Sequence, residues 1–176
     1  MKETQITILK KILKEVKEIN KKLDIPVVKS DDGYITFPEK TAKEIVDECN
    51  NTIDGHNFLY DTDWYKDADF FTKEKCRPRT VKIPTEISCV GKSWNECKGD
   101  MPNFAEVIYM MRESKEYREL FRYGNKSGAW YTWTSSVDPS GKRFVDAGGF
   151  DDAGVSVDGH YPDSTWYEQG CSFLCS

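Results

Sequence analysis

Hydrophobic positions are most regular at the start of the chain. In residues 3–23, Leu9, Ile12, Val16, Ile19 and Leu23 recur at alternating separations of three and four among lysines and glutamates. That is the a/d repeat of a coiled coil, with Leu13 widening the stripe. It predicts a helix that oligomerises or docks on a partner; an amphipathic helix lying on its own domain is the alternative. Pro26 and the polar run Lys29-Ser30-Asp31-Asp32-Gly33 separate it from the rest of the chain, so residues 1–28 read as an oligomerisation or anchoring segment. Leucine at a with isoleucine at d favours trimers over dimers. About two and a half heptads are too short to hold an oligomer alone, so the rest of the chain or a partner has to contribute.

After this segment the pattern changes to short elements. Tyr34-Ile35-Thr36-Phe37 reads as a strand closed by Pro38, and Thr41 to Asn50 as a helix with Ala42, Ile45, Val46 and Cys49 on one side. Gly55-His56-Asn57 reads as a turn. From Phe58 to Phe71 aromatics mix with aspartates, which predicts the acids on the wet side of a turn and Trp64, Tyr65, Phe70 and Phe71 packed inside. Thr80 to Ile83 predicts another strand, with a turn at Pro84-Thr85-Glu86. The longest internal helix carries Val107, Ile108, Met110, Met111, Tyr117, Leu120 and Phe121 on its apolar side. Asn103 is its expected N-cap, Glu106 completes a capping box, and Gly124 is the expected stop. Trp130 to Ser136 then starts a strand, and Asp138-Pro139-Ser140-Gly141 turns it. Arg143 to Ala147 is a strand ending at Gly148-Gly149, with Val155-Ser156-Val157 as its hairpin partner. A loop over His160 to Thr165 and a last strand over Trp166 to Cys175 finish the chain. Short strands after one helix predict an α+β fold, continuous over 29–176.

Two of these segments carry a resemblance. Met101-Pro102-Asn103-Phe104-Ala105-Glu106 enters the internal helix, and Trp133-Thr134-Ser135-Ser136 lies in the strand after it. In order and spacing they resemble the C-type-lectin-like fold, in the branch whose bacterial and phage members carry a leucine-proline-threonine entry, then glutamate, and a Trp-Ser/Thr-Ser strand. The resemblance covers roughly Ile83 to Ser176. It implies a scaffold of short antiparallel strands, to which Trp130 and Trp133 belong, and a variable surface of loops and late strands that binds ligands from sugars to proteins. On that surface Asp151, Asp152, Asp158, His160, Tyr161, Trp166 and Tyr167 are the candidate ligand-binding residues. Their aromatic faces suit sugars or protein hot spots, and their carboxylates accept hydroxyl hydrogen bonds. Ser93-Trp94-Asn95-Glu96 is superficially similar to the family's Trp-Asn-Asp calcium signature, but it precedes the central helix. The sugar-selecting Glu-Pro-Asn tripeptide is absent, so no calcium ligands carry over.

Composition narrows the function. A net charge of −5 over 176 residues argues against a general nucleic-acid binder. Met1 is followed by polar residues, and neither a signal-type apolar run nor a membrane-spanning one appears. The expectation is a protein made in a cytoplasm that leaves by a route other than secretion, as a virion released by lysis does. The six cysteines, at 49, 76, 89, 97, 171 and 175, are then free thiols by default. Three disulfides formed after release, or zinc held by Cys89, Cys97, Cys171 and Cys175, are the alternatives. An EF-hand starting at Asp61 fails because Lys66 and Thr72 stand where glycine and glutamate are needed.

One branch of the resembled fold, the formylglycine-generating and related iron enzymes, is catalytic. Here the two histidines, His56 and His160, are far apart, and no iron-type His/carboxylate spacing, nucleophile elbow or phosphate loop appears. No catalytic residue, metal or cofactor is expected. The reading is a non-enzymatic bacteriophage virion protein, a head or tail fibre. It would be a homotrimer joined to other capsid or tail proteins by its N-terminal helix, and its lectin-like head would face a host glycan or protein without inserting into membrane. A cytoplasmic interaction module docking its helix on a larger assembly is the second reading, and an iron- or copper-dependent enzyme the third.

Overall fold

The computed structural model describes residues 33–60, 64–97, 99–124, 130–165 and 169–170. The heptad positions Leu9, Ile12, Val16, Ile19 and Leu23 lie outside the described residues, as do Trp166, Tyr167, Cys171 and Cys175. In chain order the elements are β1 (Tyr34–Thr36), α1 (Ala42–Glu48), β2 (Thr52–Ile53), β3 (His56–Asn57), α2 (Asp69–Thr72) and β4 (Thr80–Lys82). A 3-10 turn (Trp94–Glu96) leads to α3 (Phe104–Glu113), α4 (Lys115–Glu119), β5 (Tyr131–Val137), β6 (Phe144–Asp151), β7 (Gly154–His160) and β8 (Gln169–Gly170). The architecture is α+β. Its main sheet has the order β7-β6-β5-β8, antiparallel except that β8 joins β5 in parallel. β1 pairs with β4, and β2 with β3, as separate antiparallel pairs.

Every residue from Phe104 to Met111 is buried, so α3 is a central helix enclosed on all sides rather than a surface helix with one wet face. It packs on α1, α2, β5 and β6. One cluster of buried side chains around it reaches from Ile35 to Val157, and a smaller one joins Cys97, Met101 and Trp133.

Several expectations are corrected. The predicted continuous helix to Gly124 breaks at Ser114, whose φ of −125° and ψ of 110° are extended. The Ser114 hydroxyl accepts from Tyr117 N at 3.1 Å and so caps α4, the competition with the helix ladder that serine side chains offer. The expected turn at Gly55-His56-Asn57 is a hairpin tip at Asp54-Gly55, both at positive φ, with His56 and Asn57 in β3. Gly148 and Gly149 do not end β6, which runs on to Asp151. Gly148 is required by close approach: a Cβ there would lie 1.9 Å from Trp130 O. Trp64 is 39% exposed, whereas Tyr65, Phe70 and Phe71 are buried as expected. Trp133 is fully buried but Trp130 only half-buried.

Cys89 is disulfide-bonded, whereas Cys49, Cys76 and Cys97 are thiols. That overturns the free-thiol default at Cys89 and removes its thiolate from the zinc set. No group of three or more His, Cys, Asp or Glu among the described residues is arranged to hold a metal ion. No described helix is long and apolar enough to cross a membrane.

Candidate functional site

The structure joins the two segments that carry the resemblance. At the start of α3, the Asn103 side chain accepts from Glu106 N at 2.9 Å while Glu106 Oε2 accepts from Asn103 N at 3.0 Å, the expected capping box. Phe104 N donates to Ser136 Oγ at 2.8 Å, and Ser135 N donates to Pro102 O at 2.8 Å. The helix entry therefore binds the strand both ways, through the orphan Phe104 N–H that a helix terminus leaves and through Pro102 O as acceptor. Ser136 Oγ in turn donates to Glu74, whose carboxyl is pushed above the usual range by burial. Trp133 Nε1 donates to Lys92 O at 3.1 Å, and Trp94 Nε1 to Thr134 O at 2.9 Å. The Trp94 ring stacks on Phe144 at 3.7 Å.

Beneath this junction lies a charged hub. Glu106 is fully buried and accepts from Arg77 Nε at 2.9 Å, Arg77 Nη2 at 2.7 Å and Arg79 Nη2 at 3.0 Å. Burial opposes ionisation, but the Arg77 and Asn103 hydrogen bonds outweigh it and hold the carboxyl below its ordinary value. Asp100 bridges both arginines from the solvent side.

The five described candidate ligand-binding residues fall at two ends of the β6–β7 hairpin rather than in one patch. Asp151 sits at the β6–β7 tip, where its two oxygens accept from Tyr60 Oη at 2.8 Å and Ala153 N at 2.7 Å. The Tyr60 pKa is pushed up to about 12 by burial and by that bond. Asp152 stands exposed beside it. Asp158, His160 and Tyr161 lie toward the other end of β7, which puts Asp158 about 13 Å and His160 about 20 Å from Gly154 at roughly 3.3 Å per residue. Asp158 is exposed, with Oδ1 accepting from its neighbour Gly159 N at 2.7 Å, and Tyr161 is 59% exposed. His160 Nδ1 pairs with the buried Asp146 at 2.9 Å, edge-on to Trp133, and fastens the end of β7 to β6. The hydrogen bond to Asp146 raises its pKa above the ordinary histidine value.

A large concavity lies elsewhere. A cavity of about 570 Å³ opens between Trp64, Asp67 and Asp69 on one side and Val137, Pro139 and Gly141 on the other. A depression of about 390 Å³ shares its Asp69 and Val137 walls and adds Lys73 and Glu74. A third, of about 460 Å³, meets the second at Ser135 and ends on Trp94, Asn95 and Arg77. The three adjoin through shared walls at Asp69, Val137 and Ser135, and together they line one side of β5 as a trough. Sequence reasoning missed it by placing Trp64 inside. The signal was present, because Trp64 and Tyr65 are neighbours outside any helix, and only one of two such rings readily faces the core. With the fold and the trough in place, no protein-family model, no curated protein and no solved structure matches the chain.

Proposed function

We propose that the chain is a non-enzymatic structural protein of a bacteriophage virion, a head or tail fibre whose C-type-lectin-like head presents a receptor-binding surface. The observation that carries this reading is the direct bonding of Met101–Glu106 to Trp133–Ser136. The spacing that suggested the resemblance has a mechanical reason here: Pro102 O, Phe104 N and the Ser135 and Ser136 groups satisfy one another. Such a junction ties one helix to a sheet and leaves loops and sheet faces to vary, which suits a scaffold that displays a binding surface. Residues 1–28 assemble three copies and join them to capsid or tail proteins, and weak single sites then gain avidity on a host surface.

Light scattering on the full chain beside its Ile12→Asp/Ile19→Asp variant tests the reading. A trimer that becomes a monomer in the variant is the expected result. A monomer in both sinks the self-assembling fibre.

A further inference from the structure

The trough along β5 has a floor set by strand periodicity. Ser135 and Val137 point outward, while Thr134, Ser136 and Asp138 alternate with them and are buried. An indole is fixed at each end. Trp64 sits edge-on to Tyr65 at 5.9 Å and tilted against Phe70 at 5.8 Å. Trp94 is held by its stack on Phe144 and its bond to Thr134 O. Both rings are ordered before any ligand arrives, so little side-chain entropy is lost on binding. Between them stand the exposed carboxylates of Asp67 and of Asp69, the latter paired with Lys73. With them are the Ser135 hydroxyl, which donates weakly to Pro102 O at 3.4 Å, and Asn95, whose Nδ2 donates to Asp163 at 2.5 Å. Asp138 is committed elsewhere, its oxygens taken by Ser140 and Arg143.

Flat apolar faces beside hydroxyl acceptors are what a sugar chain requires. The cavity beside Trp64, at about 570 Å³, falls within the range of roughly 300–1,000 Å³ of small-molecule sites. Charge decides which sugar. The cations of the trough are already paired, Lys73 with Asp69 and Arg77 with Glu106 and Asp100, so its uncompensated acid repels sulfated or sialylated chains. An extended peptide finds no open ladder, because Thr134 O and Ser135 N are already bonded. We infer that this trough binds a neutral linear oligosaccharide, an inference that rests on reading the domain as a binding head and that moves the site from the hairpin to β5.

The test applies the full chain to a printed array of neutral, sialylated and sulfated oligosaccharides with an oligolysine control. Each retained neutral sugar is then titrated by intrinsic tryptophan fluorescence. Expected is saturable binding of a neutral oligosaccharide, weakened about tenfold or more by Val137→Arg and by Trp64→Ala, and unchanged by Tyr161→Ala. Val137 is 44% exposed, so Val137→Arg obstructs the trough without disturbing the core and decides the matter if Trp64→Ala unfolds. Absence of neutral binding, binding confined to charged glycans or oligolysine, or neutral binding indifferent to Val137→Arg overturns the inference. A trimer that binds no neutral sugar sinks the trough and leaves the fibre; a monomer that binds one through Val137 sinks the fibre and leaves the trough.

Discussion

Glu106 and Asp152 are both carboxylates on segments that the sequence singles out, one at a helix entry and one in the last hairpin. Glu106 has no solvent exposure and takes hydrogen bonds from two arginines and the Asn103 backbone; Asp152 stands in water at the β6–β7 tip. The same contrast runs through their neighbourhoods. The hub around Glu106 is closed and its groups are assigned, whereas Asp152, Asp158 and Tyr161 keep solvent-facing surface. A charge therefore acquires structural weight here through the donors fixed around it and the water removed from it, not through its residue type.

The largest effect expected from that contrast is at the hub. Glu106→Gln takes from Arg77 and Arg79 the buried one of their two shared counter-ions, leaving only Asp100 on the solvent side, and breaking a buried pair destabilises a fold by about 3–5 kcal/mol. Both arginines keep some water, Arg77 being 43% exposed, so a loss near about 3 kcal/mol is expected in urea unfolding. A loss below about 1 kcal/mol would break the comparison, since Glu106 would then behave as a surface acid. Gly148→Ala comes next. Its Cβ would meet the Trp130 carbonyl, so β6 and the entry to β5 must separate at a loss of about 2–3 kcal/mol, read as a fall in Tm of roughly 5–10 °C.

How legible these regions were depends on the reach of each interaction. The capping box at Asn103–Glu106 is local, and its spacing marks it in the sequence. The strands from Tyr131 to His160 show in their alternation and turns. Arg77 and Arg79 meeting Glu106 is a contact across nearly thirty residues, and nothing in a one-dimensional pattern distinguishes those arginines from solvated ones. The trough was hidden for a similar reason. It forms where a loop bearing Trp64 and a turn at Pro139 approach in space, and aromatic content alone assigned Trp64 to the core. Gly148 was legible as a special position but not as a close approach, because the Trp130 carbonyl that requires it lies at the entry to another strand.

His160 sharpens the comparison, being half-buried and tied to the buried Asp146. Asp146, Asp158 and Arg143 are the charged groups that act on it, and the bond to Asp146 raises its folded-state pKa above 6.5. A raised histidine stabilises the fold fully below its unfolded value, and that contribution is lost as pH rises through the higher folded value. Glu106 behaves oppositely: its folded-state pKa lies below 4.5, so its contribution is present above that value and is lost as pH falls through the lower folded one. In urea unfolding, the stability difference between the wild type and His160→Gln should be largest near about pH 5.5 and shrink toward about pH 8.5. A difference that grows with pH would mean that Asp146 does not hold a charged imidazole.

The smallest effects belong to the hairpin acids. Asp152→Asn and Asp158→Asn remove exposed charges, and substitutions of that kind stay within about 0.5 kcal/mol. Asp151→Asn should exceed both in urea unfolding, because its carboxylate accepts the Tyr60 hydroxyl and the Ala153 amide. That ordering tests the comparison inside a single hairpin. If Asp152 or Asp158 proved as sensitive as Asp151, exposure would be a poor guide to structural weight, and the division between scaffold and surface would fail at its weakest contacts. If the ordering holds, the tip aspartate that the sequence offered as a ligand acceptor is a turn-forming group. The exposed acids then remain free to change without penalty to the fold, as a displayed surface requires.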